Sequence, residues 1–182
     1  MQVLGIAGSL RQGSTSRALV RAASTFAPEG VRVVAHEIGA LPLYDADLDT
    51  DDARPASVRA LKDAIASADA LLVVTPEYNY SMSGVLKNAI DWASRPAYKS
   101  AFVGKPAALV GVSAGAAGGA RALAHLKEVL LGVLARPLPV PDVLVPNARA
   151  AFDQDGALVD VAVRDRLARL LVDLRAEVAR AK

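Results

Sequence analysis

The chain has 182 residues, a net charge of +2, 53% hydrophobic and 22% charged residues, and no cysteine. That length suits one globular domain able to bury roughly 70% of its unfolded surface. Disulfides, thiolate metal sites and a cysteine nucleophile are excluded, and the modest charge has no basic cluster of the kind a nucleic-acid face requires.

Short apolar runs backed by turn residues alternate with stretches of helical period. Strands are expected at 3–7, 31–37, 70–75, 107–112 and 138–145, with helices near 15–27, 55–68, 84–95, 119–135 and 160–180. Ser14 or Thr15 can cap the first helix, Pro55 suits the first turn of the second, and Ser83 can cap the third. In the last helix Val163, Leu167, Leu170, Leu174 and Val178 form one apolar stripe, while its arginines are interleaved with Asp165, Asp173 and Glu177 as on a solvated face. Five strands alternating with helices imply a parallel sheet covered on both faces, with right-handed crossovers, in one domain spanning 1–182. The first residues lack the basic leader and apolar core of a signal peptide. The longest uncharged stretch, 106–120, is too short and Gly-rich to span a bilayer. A cytoplasmic protein without membrane segments is therefore expected.

Two connections are longer than needed. The 39–54 loop carries Asp45, Asp47, Asp49, Asp51 and Asp52. A hand-like calcium loop counted from Asp45 would need Gly and Glu where Thr50 and Ala56 stand, so a solvated surface loop is expected. The 8–16 loop, Gly-Ser-Leu-Arg-Gln-Gly-Ser-Thr-Ser, brings hydroxyls, Arg11 and the free N–H groups of the next helix together, as a phosphate monoester requires. It approaches the nucleotide-triphosphate loop, but Ser14 stands where the lysine should be, and Gly5, Gly8 and Gly13 miss the dinucleotide spacing.

After the third strand, Tyr78-Asn79-Tyr80 offers two phenol rings and an amide at a strand end, where open parallel sheets bind ligands. After the fourth, Gly111-Val-Ser-Ala-Gly115 matches the nucleophile elbow of hydrolases. A serine esterase at Ser113 needs a later acid and then a histidine. The only downstream histidine, His125, follows with no acid between, and that chemistry ranks as a minor alternative.

Three segments, Gly8-Ser9-Leu10-Arg11 with Ser14-Thr15-Ser16, Pro76-Glu77-Tyr78-Asn79-Tyr80-Ser81, and Ser113-Ala114-Gly115 with Gly118-Gly119, resemble the NADPH-dependent FMN reductase family, the chromate and quinone reductases. The resemblance implies a flavodoxin-like α/β sandwich with strand order 2-1-3-4-5, and FMN as cofactor. On it, the loop of Ser9, Leu10, Arg11, Ser14, Thr15 and Ser16 would hold the FMN phosphate. Pro76, Glu77, Tyr78, Asn79 and Tyr80 would line the flavin ring with backbone N–H groups at its edge, and Ser113 and Gly115 would close the far side. Met82 and Ser83 depart from the residues relatives often have there. The implied activity is ping-pong hydride transfer from NADPH or NADH to a quinone, a free flavin or a similar small acceptor. The alternative is an FMN-binding electron carrier without NAD(P)H turnover. The resemblance also implies a dimer or tetramer. The helix opened by Ser83, with Val85, Leu86, Ile90 and Trp92, carries more apolar surface than one sheet contact needs, so Tyr80 and Trp92 are expected near a partner copy.

Overall fold

A computed structural model describes residues 1–180. Its strands are β1 (Gln2–Ala7), β2 (Arg32–His36), β3 (Ala70–Pro76), β4 (Pro106–Val112), β5 (Arg136–Pro137) and β6 (Val143–Val145). The helices are α1 (Thr15–Thr25), α2 (Ala56–Ser67), α3 (Gly84–Ala93), α4 (Ala120–Gly132) and α5 (Val161–Arg180). All pairings are parallel, in the order β2-β1-β3-β4-β5, with β6 also on β4. This is the flavodoxin-like arrangement expected from the sequence.

The centre is set by β3 and β4, in which every residue is buried. Strands covered on both faces must be apolar throughout, and their side chains alternate between two cores. Val3, Leu72, Val74, Val110 and Val112 join Leu19 and Val20 of α1 and Leu167, Leu171 and Leu174 of α5. Leu4, Ile6, Leu71, Val73 and Leu109 join Leu61 of α2, Leu86 of α3 and Leu123 and Leu126 of α4. Ser14 caps α1 by accepting from Arg17 N at 3.2 Å, and Ser83 caps α3 by accepting from Leu86 N at 3.3 Å.

Three expectations need correction. The strand expected at 138–145 is split: β5 pairs with the start of β4 and β6 with its end. Pro137, Pro139 and Pro141 remove alternate N–H donors, so a continuous ladder cannot form. The 39–54 loop is not simply a solvated acidic surface. Asp49 keeps only 8% of its side chain exposed, with Arg54 Nε at 2.7 Å and Lys62 Nζ at 3.8 Å. Last, Trp92 is wholly buried inside its own chain. Its indole N–H donates to Pro42 O at 2.8 Å and its ring meets Tyr44 edge-on at 4.9 Å. The long loop thus covers the surplus apolar face of α3, and that face gives no argument for a partner.

Candidate functional site

The loops after β1, β3, β4 and β6 converge at the carboxyl edge of the sheet around a cavity of about 300 Å³, at the lower end of small-ligand sites. It is lined by Ser9, Arg11, Ser14, Thr15 and Ser16 from the first loop, Pro76, Glu77 and Tyr78 from the second, and Val112, Ser113, Ala114 and Gly115 from the third. Ala148 and Arg149 complete it. Leu10, Asn79 and Tyr80, expected to contribute, lie outside this lining.

The first loop is built to receive an anion. Ser9, Ser14 and Ser16 are nearly inaccessible, with 5%, 3% and 1% of their surface exposed. Ser14 Oγ is engaged as the α1 cap. Among the described residues, the hydroxyls of Ser9 and Ser16 and the guanidinium of Arg11 have no partner inside the chain. Within the loop Ser14 N donates to Arg11 O at 3.1 Å, which closes the turn that leads into α1. Unpaired side-chain donors, one cation and the positive end of an eleven-residue helix together favour a phosphate.

The second loop is a tight turn. Tyr78 N donates to Ser81 O at 2.9 Å and Ser81 N to Tyr78 O at 3.0 Å, with Asn79 at φ 49° and Tyr80 at φ 68°. Two consecutive left-handed residues define a type I′ geometry. Asn tolerates that conformation, whereas Tyr carries a strain on the order of 1–3 kcal/mol. Arg121 offsets it by stacking its guanidinium 3.9 Å from the Tyr80 ring centre. The same guanidinium donates from Nε to Glu77 Oε1 at 2.7 Å, and Arg121 N donates to Glu77 Oε2 at 3.2 Å. Glu77 therefore caps α4, whose own N-cap, Gly119, has no side chain to do so. Glu77 N donates to Val112 O at 3.2 Å. Within 77–80, the N–H groups of Asn79 and Tyr80 are the ones left without an acceptor among the described residues.

Burial alone would push the Glu77 carboxyl up, but hydrogen bonds and charge from Arg121, with backbone N–H groups of α4, outweigh it and hold Glu77 below the ordinary carboxylate value. Its stabilising contribution is thus complete above the usual carboxylate range and is lost as pH falls through the lowered value. Urea midpoints of wild type and Glu77→Gln are expected to differ at neutral pH and converge in acid. A difference independent of pH would contradict this role.

The third loop does not assemble a hydrolase centre. Ser113 Oγ accepts from Gly115 N at 2.9 Å, and His125 Nδ1 pairs with Ser81 Oγ at 3.0 Å. Gly111 serves packing, since a Cβ there would lie 2.8 Å from Gly119 O.

Sequence reading missed Val112, Ala148 and Arg149. Val112 is the last residue of β4. Ala148 and Arg149 sit in a single 3₁₀ turn, Ala148–Ala151, whose only forerunner in the sequence is the turn pair Pro146-Asn147 behind a strand.

A sequence model of the family described as NADPH-dependent FMN reductase matches residues 1–150. An NAD(P)H-dependent FMN reductase of Pseudomonas aeruginosa is 46% identical over 99% of this chain and 96% of its own length. A 2-hydroxy-1,4-benzoquinone reductase from a Burkholderia species is 41% identical over 92% of this chain and 90% of its own. Among solved structures, the flavoenzyme NAD(P)H:(acceptor) oxidoreductase FerB from Paracoccus denitrificans superposes with a TM-score of 0.88 at 36% identity, covering 98% of this chain and 97% of that one. A flavodoxin variant from Pseudomonas aeruginosa shares the fold, with a TM-score of 0.57 at 16% identity over 96% of this chain and 99% of its own.

Proposed function

The chain belongs to the NADPH-dependent FMN reductase family, and from that premise we propose that it is an FMN-dependent oxidoreductase passing hydride from NADPH or NADH to a quinone, a flavin or a similar small acceptor. The observation that carries this reading is the anion cradle formed by Ser9, Arg11, Ser14, Thr15 and Ser16, in which Ser9, Arg11 and Ser16 have no side-chain partner among the described residues, beside the Pro76–Tyr78 wall of one cavity. Those donors fit the terminal phosphate of FMN, and the wall of proline, glutamate stem and phenol ring fits a flat heterocycle.

When bound, FMN supplies the centre that accepts and returns hydride, so the protein needs orientation and electrostatics rather than a catalytic acid. Arg11 and the α1 N-terminus would offset most of the phosphate charge. Pro76 and Tyr78 would line the ring, and Ser113, Ala114 and Gly115 would close its far side. The turn that follows Tyr78, outside the cavity lining, holds the free N–H groups of Asn79 and Tyr80 in place through Arg121 and Glu77, where they would be the nearest unpaired backbone donors to a ring edge reaching past Tyr78. With FMN bound in this cavity, hydride donor and acceptor would both have to reach the same ring. A shared site of that kind would favour a ping-pong order, the nicotinamide leaving before the acceptor enters. Residues 1–182 act as one FMN-binding domain. No helix among the described residues is long and apolar enough to cross a membrane; a cytoplasmic location is part of the proposal.

FMN-loaded protein is expected to oxidise NADPH or NADH rapidly only when a quinone is present, with parallel double-reciprocal lines. Retention of FMN without NAD(P)H turnover would favour the electron-carrier alternative. Ester hydrolysis abolished by Ser113→Ala would overturn the reductase reading. We also propose self-association as a dimer or tetramer, through a surface other than the one Trp92 was expected to occupy. Light scattering is expected to return a multiple of 18.9 kDa, and a fully active single chain would refute that.

A further inference from the structure

We propose that Arg149 is a second cationic contact for the phosphate of the flavin nucleotide, and so helps set the preference for FMN over riboflavin. The inference rests on the FMN reading above and adds a residue from the far end of the sheet.

Arg149 lines the same cavity as Ser9, Arg11, Ser14 and Ser16. It is carried on the Ala148–Ala151 turn, which is docked rather than loose: Ala148 and Ala151 are 2% and 3% exposed. Ala148 N donates to Ser113 O at 3.0 Å and Asn147 N to Gly115 O at 3.2 Å. In a three-residue turn, positions three apart share a side, so burying Ala148 and Ala151 turns Arg149 away from the core.

Ala148 and Ala151 pack into the core that holds Leu19 and Val20 of α1. The Tyr78–Ser81 turn leads instead into Met82 and Leu86, in the core on the opposite face. The turn that carries Arg149 thus packs on the α1 side of the sheet, and Arg149 lines the cavity together with the phosphate donors of the first loop.

The charges agree with that placement. A phosphate monoester carries about −1.5 to −2 at neutral pH; Arg11 and the helix terminus, the latter worth roughly +0.5, match about 1.5 of it and leave up to about half a charge for a second cation. Among the described residues the Arg149 side chain makes no ion pair or hydrogen bond that would hold it elsewhere. Glu77, the one acid lining the cavity, is already bound by Arg121.

The test titrates flavin-free protein with FMN and with riboflavin, following quenching of flavin fluorescence. It compares wild type, Arg149→Ala, Arg149→Lys and Arg21→Ala, the last an exposed α1 cation that does not line the cavity. Arg149→Ala is expected to weaken FMN roughly tenfold and to leave riboflavin unchanged. Arg149→Lys should recover part of the loss, and Arg21→Ala should resemble wild type. Unchanged FMN affinity in Arg149→Ala, or equal losses for FMN and riboflavin, would overturn the proposal. So would a raised KM for NADPH but not NADH at unchanged FMN affinity, which would assign Arg149 to the nicotinamide nucleotide. Failure of the wild-type protein to bind FMN at all would instead overturn the FMN reading itself.

Discussion

Trp92→Ala is expected to lower stability by about 3–5 kcal/mol, the range for deleting a large buried aromatic. The ring is fully buried, and its removal leaves a cavity under the 39–54 loop. Pro42 O accepts from both Trp92 Nε1 and Asn88 Nδ2, each at 2.8 Å, and Tyr44 N donates to Asn88 Oδ1, so the loop also loses one of the three hydrogen bonds that tie residues 42–44 to α3. Hydrogen exchange should therefore rise in residues 39–54 well before it rises in β3. Urea unfolding reads the stability loss directly. A loss below about 1 kcal/mol, or one that depends on protein concentration, would place Trp92 at solvent or at a partner instead.

Gly119→Ala is expected to cost about 3 kcal/mol or more, combining the left-handed penalty with overpacking. Gly119 has φ 86°, and a Cβ there would lie 2.5 Å from Val112 N and 2.9 Å from Gly111 C. Both are backbone atoms of the central strand and cannot swing aside. Gly30, at φ 78° with nothing within 4 Å of where a Cβ would stand, provides the comparison. Gly30→Ala should cost only the conformational part, about 1–2 kcal/mol. Equal losses at the two positions would show that the packing of the loop before α4 on β4 is not what requires glycine at 119. Because α4 begins there and presents Arg121 to Glu77 and Tyr80, Gly119→Ala should also loosen the Tyr78–Ser81 turn and weaken flavin binding.

The local part of the fold was legible in the sequence. The alternation of β3 and β4 with helices, the Ser14 and Ser83 caps and the stripe on α5 are all signals within a few residues of one another. The structure adds Leu171 to that stripe. The prolines that break the fifth strand were equally visible, but the apolar residues around them, Leu138, Val140 and Val143, outweighed them in a reading based on hydrophobic runs. The fold of the 39–54 loop over α3 left no such trace. Its contacts join residues 44 and 50 positions apart, and nothing near Pro42 announces that its carbonyl will meet an indole.

The candidate site divides in the same way. The anion loop and the Glu77–Tyr80 segment are contiguous, and their residue types alone point to a ligand. The roles inside them depend on partners elsewhere in the chain. Glu77 looks like a ligand contact until Arg121, 44 residues on, takes both carboxylate oxygens. Gly111-Val-Ser-Ala-Gly115 looks like a nucleophile elbow until the approach of Gly118 and Gly119 explains Gly111. Arg149 enters the cavity only because the split fifth strand and the turn after it bring it back to the sheet edge.

If the cradle at the start of α1 and the wall after β3 form one FMN site, titration of flavin-free protein with FMN, followed by flavin fluorescence, shows it most directly. The expected result is saturation at one FMN per chain with micromolar or tighter affinity, and markedly weaker binding of riboflavin, which lacks the phosphate. Absence of saturable FMN binding, or riboflavin binding as tight as FMN, would contradict the account.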